Sequence, residues 1–367
     1  MKILHINSQP KWGGGEQQTC DIMEAMTQVD TENILLCTEG SKLEEYCKQR
    51  NIQNITSTKI KKDKFKVAKE IVNITNQVEP DIIHIHEKRF LNPLLIAKYI
   101  YGMTTKVVYS QKTLISKKKP LSFIKYNNPN IKGYMCVSNA VKKTLDPFLF
   151  EKNKEKSKVI YDGKKPPNDS PINAVDLRKK FKIPQDKYLV GNISNHNRSK
   201  DLHTFIKTIH HTVNVLKKTD LHFIQIGSPT SSTPKLQKLI KQYGIEDYIT
   251  MAGFMNEAYN LTPQFDCYLM TSCREGLPHT IMEVFYLGIP VVTTNAGGIP
   301  EVVKQDETGL ICQIGDFKSL ANNIIRLRQE PQLRETIIQN GKQSFNDNFL
   351  PSVMANKLLK LYKEAMM

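Results

Sequence analysis

Residues 265–310 concentrate the side-chain types that handle phosphate and sugar. A strand ends near Met270, and a polar loop leads into Glu275-Gly276-Leu277-Pro278. Pro278 suits a helix start, because its missing N–H is not needed there. Gly288 suits the left-handed position that closes a helix. The run 290–294 reads as the next strand. It passes into Asn295-Ala296-Gly297-Gly298, and a second helix opens near Pro300 and Glu301. Two glycine-bearing loops thus stand at the ends of adjacent strands, each opening a helix whose first N–H groups point outward. That arrangement binds an anion, and phosphate fits best. Two carboxylates share the segment, Glu275 in the loop and Glu283 inside the helix. Beside phosphate they make sense if each accepts hydrogen bonds from hydroxyls, one from a sugar and one from a ribose.

Other chemistry-bearing residues are weaker signals. His84 and His86 alternate in Ile-Ile-His-Ile-His-Glu and are expected on opposite faces of a strand, a spacing that forbids a metal shared on one face. The seven cysteines, scattered from Cys20 to Cys312, show no CxxC pair and no zinc spacing. They read as small buried apolar residues in a reducing compartment. No Asp-x-Asp motif occurs anywhere.

The elements that must position these residues follow a βαβα rhythm. Strands are expected at 2–7, 34–38, 82–86, 107–110, 134–137 and 159–160, with helices at 17–28 and 66–78. A Pro/Lys/Asn/Asp-rich linker at 164–171 breaks the pattern. The rhythm restarts with strands at 188–193, 221–226, 249–251, 265–270 and 290–294. Helices are expected at 202–216, 234–243, 280–287 and 318–328. Alternation of this kind predicts parallel sheets covered by helices. Ligands in such sheets bind at the C-terminal ends of the strands. No short-period repeat or low-complexity tract interrupts the 367 residues.

The 265–310 string resembles the signature of retaining glycosyltransferases of family 4, through Glu275, Glu283, Gly288, Pro290, Gly297, Gly298 and Glu301. The likeness extends over nearly the whole chain. Gly13-Gly14-Gly15-Glu16 is similar to the family's glycine loop, whose alternative is a simple strand–helix turn. Cys136-Val137-Ser138-Asn139-Ala140 and Asp162-Gly163 stand where the family has kindred motifs, whereas Ile226-Gly227-Ser228-Pro229 lacks the usual second glycine. The resemblance implies an α/β GT-B fold: two Rossmann-like doubly wound domains facing across a cleft. The N-terminal acceptor-side domain would span 1–165 and the nucleotide-sugar-binding domain 166–345. A C-terminal helix at 346–367 would cross back to the first.

By the same resemblance, Glu275 holds the sugar hydroxyls, Glu283 the ribose diol, and Lys200 the donor diphosphate. Asn195 occupies the place of a phosphate-clamping Arg, and Arg198 in the same loop is the candidate replacement. Gly14, Gly15, Gly276, Leu277 and Pro278 line the donor. Phe254 lies against the base, or else is a core aromatic. On the acceptor side stand His86 and Lys112. Many relatives carry a His at the place of Lys112, which here is either an anion-binding group or a surface lysine. The implied reaction is metal-independent hexosyl transfer from a UDP-sugar to a hydroxyl of a glycan or lipid-linked acceptor, with retention of configuration, in cell-surface polysaccharide or lipopolysaccharide synthesis. No cofactor and no metal are expected.

Charge narrows the partners. The chain carries 52 Lys and Arg against 36 Asp and Glu, a net of +16. Residues 1–165 hold 29 basic and 17 acidic residues, so +12 lies in the first half. A one-sided basic surface points to an anionic partner. The lysine clusters at 59–66 and 117–119 sit beside Phe65, Phe123 and Ile124, a mixture suited to an anionic membrane surface. Nucleic acid is not expected, because the basic residues do not interleave with aromatics in a reading motif. A dinucleotide dehydrogenase fails on the absent GxGxxG. A GT-B sugar-nucleotide epimerase stays open as the alternative. The opening residues read as a strand and no apolar run approaches roughly 18 residues. The expected location is the cytoplasm, with membrane contact only at the inner surface.

Overall fold

The computed structural model describes residues 1–10, 13–61, 63–116, 122–165 and 175–367. Lys62, the lysine cluster at 117–119 and most of the expected linker lie outside them. The chain divides into two compact units: Met1–Lys165 with Asn348–Met367, and Pro166–Asp347.

The first unit is built on seven parallel strands: β1 Lys2–Ile6, β2 Glu32–Cys37, β3 Asn54–Thr56, β4 Ile82–Ile85, β5 Lys106–Gln111, β6 Ile131–Cys136 and β7 Ser157–Val159. Their order is β3-β2-β1-β4-β5-β6-β7. The inner strands β1, β4, β5 and β6 are buried on both faces and mostly apolar, as a sheet covered on both sides requires, whereas the edge strand β3 is only half-buried. The helices between them are α1 Gly14–Met26, α2 Lys42–Gln49, α3 Lys64–Val78, α4 Leu91–Tyr99, α5 Ser122–Tyr126, α6 Asn139–Leu145 and α7 Glu151–Lys154. Several start at a side-chain cap: Ser41 accepts from Glu44 N, and Asp63 from Phe65 N and Lys66 N.

The second unit has six parallel strands: β8 Tyr188–Ile193, β9 Leu221–Ile226, β10 Ile249–Gly253, β11 Cys267–Met270, β12 Val291–Thr294 and β13 Leu310–Cys312, ordered β10-β9-β8-β11-β12-β13. Its helices are α8 Leu177–Phe181, α9 Leu202–His210, α10 Thr233–Tyr243, α11 His279–Tyr286, α12 Ile299–Val302, α13 Phe317–Gln329 and α14 Pro331–Asn348. The helix expected at 202–216 runs as α only to His210 and continues as a π turn over His211–Val215. The hydroxyls of Thr208 and Thr212 bond back to carbonyls four residues earlier across this change, a habit that bends helices.

The last helix, α15 Pro351–Met366, belongs to the first unit. Met354, Leu358, Leu361 and Tyr362 pack with Ile22 and Met26 of α1, Val108 of β5 and Met135 of β6. Among the described residues no helix is long and apolar enough to cross a membrane.

Both sheets reverse their strand order once, between β1 and β4 in the first and between β8 and β11 in the second. Loops on either side of such a reversal diverge and leave a crevice at the C-terminal edge. The candidate residues fall at these two places.

Candidate functional site

In the second unit, the loop after β8 contains a short turn, Arg198–Lys200, and the loop after β11 runs from Thr271 to Pro278. The two are bonded together at several points. The Thr271 hydroxyl lies 3.1 Å from the carbonyls of both Lys200 and Asp201, and Cys273 N donates to Ser199 O at 2.8 Å. Asp201 holds a left-handed backbone (φ 44°) and caps α9 by accepting from Thr204. This bracing delivers Lys200 to Glu275: Nζ meets Oε1 at 2.6 Å, and Ser272 Oγ donates to the same oxygen at 2.7 Å. Both side chains keep solvent contact, 25% exposed for Lys200 and 11% for Glu275.

A third loop closes on the second. The backbone carbonyl of Glu275 accepts from Gly298 N at 3.2 Å. Gly297 has φ +55°, and a Cβ there would stand 1.9 Å from that carbonyl. Only glycine fits both the conformation and the approach. Thr294 Oγ1 donates to Ser272 O, completing the brace. The helix expected near Pro300, α12, is a single turn over Ile299–Val302. It therefore adds little dipole, and α11 is the helix whose N-terminus faces this loop.

The remaining residues are placed as follows. Pro278 stands at the start of α11, which has no side-chain cap. Gly276 is half-buried and Leu277 buried. Glu283 lies half-buried in α11, where burial chiefly, and its charge to a lesser extent, oppose ionisation of the Tyr259 and Tyr268 phenols. Asn195 is exposed, and its Oδ1 accepts from Ser228 N at 2.9 Å. Arg198 is exposed beside Lys200. Phe254 is not a core aromatic: it is 66% exposed, directly after Gly253, whose carbonyl accepts from Gly227 N at 2.9 Å.

In the first unit, α1 opens at Gly14. Neither Gly14 nor Gly15 has positive φ, and a Cβ on Gly14 would meet nothing within 4 Å. The chain's own packing does not demand glycine there. Lys112 is not a surface lysine. Its Nζ donates to Gly15 O at 2.7 Å and lies 3.2 Å from Thr19 Oγ1. Burial lowers its pKa to about 8, against the opposing pull of Asp162, Glu16 and Glu87.

The expectation for His84 and His86 was wrong. Residues two apart on a strand share a face, and the two rings lie 4.2 Å apart. His5, opposite His84 in the β1–β4 register, joins them. One nitrogen from each ring lies within 4.8 Å of the others, a grouping with metal-ligand character. Hydrogen bonds account for most of it. His5 bonds Asn33 Oδ1 (3.1 Å) and His86 Nε2 (3.0 Å), and His84 bonds Ser110 (2.7 Å) and Tyr362 (2.6 Å). Only His86 Nδ1 has no partner. Burial lowers the His5 pKa to about 4 and holds His84 and His86 well below the usual imidazole value.

Sequence reasoning missed the braces Thr271, Ser272, Thr294 and Asp201, and missed His5. Small hydroxyl residues flanking a carboxylate were the available signal for Thr271 and Ser272. His5 lies too far along the chain from His84 to be linked without the sheet register.

Comparison with known proteins shows what these loops are similar to. Residues 174–344 match the model described as glycosyl transferases group 1, a span that contains Lys200, Glu275 and Glu283. N-acetyl-alpha-D-glucosaminyl L-malate synthase of Bacillus anthracis is 23% identical over 52% of this chain and 49% of its own length. The O-antigen biosynthesis glycosyltransferase WclY of Escherichia coli is 26% identical over 60% of this chain and 59% of its own. The chain thus matches about half of the length of these curated relatives. The crystal structure of Anabaena HepE in complex with UDP and glucose superposes with a TM-score of 0.82 at 22% identity, covering 98% of both chains. Two Rossmann-like α/β domains of the GT-B class are therefore the fold of this protein.

Proposed function

We propose that this chain is a hexosyltransferase that moves a sugar from a nucleoside diphosphate sugar, a UDP-sugar, to a hydroxyl of a glycan or lipid-linked acceptor, with retention of configuration. The observation that carries the reading is the Lys200–Glu275 pair at the strand-order reversal of the second sheet. Lys200 neutralises the diphosphate as the bond from C1 of the sugar to its oxygen breaks, and Arg198 beside it shares the charge. Donor binding exchanges the Glu275 carboxylate on Lys200 for phosphate before that bond breaks, which frees the carboxylate to accept hydrogen bonds from the sugar hydroxyls. Gly276, Leu277, Pro278 and the N-terminus of α11 border the donor, Glu283 holds the ribose diol, and exposed Phe254 stacks on the base. Asn195 positions the loop through Ser228. The acceptor oxygen bonds to C1, and its proton passes to a phosphate oxygen of the departing nucleotide.

In the first unit, Gly14 and Gly15 leave room for a ligand oxygen close to the backbone. His86 and Lys112 stand on the acceptor side. Lys112 acts there by holding the α1 turn rather than by reaching outward. The relatives' roles in O-antigen and related syntheses support a product in bacterial surface polysaccharide or lipopolysaccharide. The reaction takes place in the cytoplasm, at the inner face of the membrane, which the +12 charge of residues 1–165 supports. Thermal stabilisation by a panel of nucleotides and nucleotide sugars tests the donor. UDP and one UDP-sugar should raise the melting temperature. A panel with no stabilising nucleotide would overturn the reading.

A further inference from the structure

The first unit gathers an excess of positive charge, answered only in part by Glu151 and by Glu364 beside Lys158, at the edge of its sheet opposite the ligand loops. Lys106 opens β5, Lys132 lies at the start of β6, and Lys156 directly precedes β7. The segments leading into these strands, 98–106, 122–132 and 150–158, hold eight lysines and two glutamates. One glutamate, Glu151, is taken by Lys154 at 2.7 Å. Lys132, Lys152 and Lys156 pair with no carboxylate among the described residues. Burial and the charges of Lys132 and Lys152 hold the Lys156 ammonium below its ordinary pKa. By contrast, the basic cluster near residue 60 is partly answered, Lys59 by Glu70 and Lys66 by Asp63.

Apolar side chains stand in the same segments. Phe123 and Ile124 of α5 and Phe150 ahead of α7 are 42%, 46% and 50% exposed, and the two phenyl rings lie 6.2 Å apart. Tyr99, Ile100 and Tyr101, at the end of α4, are exposed as well. The platform is ordered. Asn127 Nδ2 donates to Phe123 O and Phe148 O, while its Oδ1 accepts from Phe150 N and Asn153 Nδ2. That one amide ties α5 to the segment bearing Phe150. Aromatic and aliphatic groups beside ammonium groups that lack a carboxylate partner, Lys156 bonding only the Asn153 amide oxygen at 3.2 Å, match the headgroup layer of a bilayer, which offers phosphate and hydrocarbon together. A nucleic acid would answer the lysines but not Ile100 and Ile124, which cannot stack on bases as aromatic rings do.

We propose that this edge of the first unit docks on an anionic lipid bilayer, with Phe123, Ile124 and Phe150 entering the headgroup region and Lys132, Lys152 and Lys156 over the lipid phosphates. The inference deepens the inner-membrane location proposed above, but it rests on a different edge of the sheet from the donor and acceptor loops. The test is co-sedimentation of the full chain with vesicles of phosphatidylcholine alone and of phosphatidylcholine mixed with phosphatidylglycerol. Binding is expected to the mixed vesicles only and to weaken with salt. The double substitutions Lys132→Glu with Lys152→Glu, and Phe123→Ser with Ile124→Ser, should each lower partitioning by about tenfold or more. UDP stabilisation should be unchanged in both variants, which shows them folded and separates this test from that of the donor site. No binding to the mixed vesicles, or equal binding to both kinds, would overturn the proposal. So would partitioning that the apolar pair leaves intact while duplex DNA competes fully, because the surface would then recognise polyanions rather than lipid.

Discussion

Glu275 accepts from both Lys200 and Ser272 on one oxygen, which leaves its second oxygen as the place for a new donor. Glu283 lies further along α11, where it acts on Tyr259 and, together with Glu275, on Tyr268. The two carboxylates should therefore fail differently. Glu283→Ala is expected to weaken UDP binding about tenfold, from the loss of charge-assisted bonds to two hydroxyls. Glu275→Gln should bind UDP nearly as the parent does, while turnover falls about 100-fold or more. Isothermal titration with UDP and a transfer assay on the same preparations check both. Equal UDP affinity in Glu283→Ala would remove the ribose role. A second prediction concerns pH. His5 is neutral in the folded chain down to about pH 4 and takes up a proton near 6.5 when unfolded. Between those values the unfolded state binds more protons, so stability falls as pH falls through this window. From pH 7.5 to 5 the loss from His5 is about 2 kcal/mol, and His84 and His86 add to it in the same direction. Urea unfolding followed by circular dichroism should show the decline, and a flat profile would contradict the buried neutral cluster.

At the scale of elements, the loop of Glu275 is set by its neighbour rather than by its own sequence. Gly297→Ala would force a left-handed residue and a Cβ into the Glu275 carbonyl. Turnover should fall about 100-fold, as small misplacements of a reacting group allow. Melting should change by only a few degrees, because the clash lies in loops at the edge of the sheet rather than in the hydrophobic core. Collapse of the fold in this variant would show that the loop contact is structural. This placement was largely legible beforehand, because glycine, proline and carboxylate at fixed offsets from apolar runs carry their own local geometry. The long strands and the helices around Ile71 and Leu236 were legible for the same reason. Three-residue strands such as Asn54–Thr56 were not, since so short a run has no periodicity to read. Nor was α14, whose buried residues are only Ile337, Gly341 and Phe345 over its 18 residues. The histidine cluster failed for a different reason. It is made by register between β1 and β4, which no local pattern contains.

For the whole molecule, the decisive feature is that α15 completes the first unit. Leu361 packs on Gly133, where a Cβ would stand 3.0 Å from its side chain, and Tyr362 bonds His84 in the core. Leu361→Ala should cost about 2–5 kcal/mol, and Tyr362→Phe about 1–3 kcal/mol by stranding a buried ring nitrogen. Denaturant unfolding measures both. A change under 0.5 kcal/mol in each would mean that the helix only rests on the unit. The same return path has a consequence for the order of assembly. A ribosome releases residues 1–165 first, yet the helix that seals their apolar face emerges only after some 180 further residues have been made. At about 5–20 residues per second, that interval lasts roughly ten to forty seconds. Throughout it, Val108, Met135 and the α1 side chains pack on one another but lack the cover that α15 later gives them. The second unit, contiguous in sequence, can fold to completion during the wait. The nascent first unit therefore passes through a stage at which an apolar groove stands open until α15 closes it.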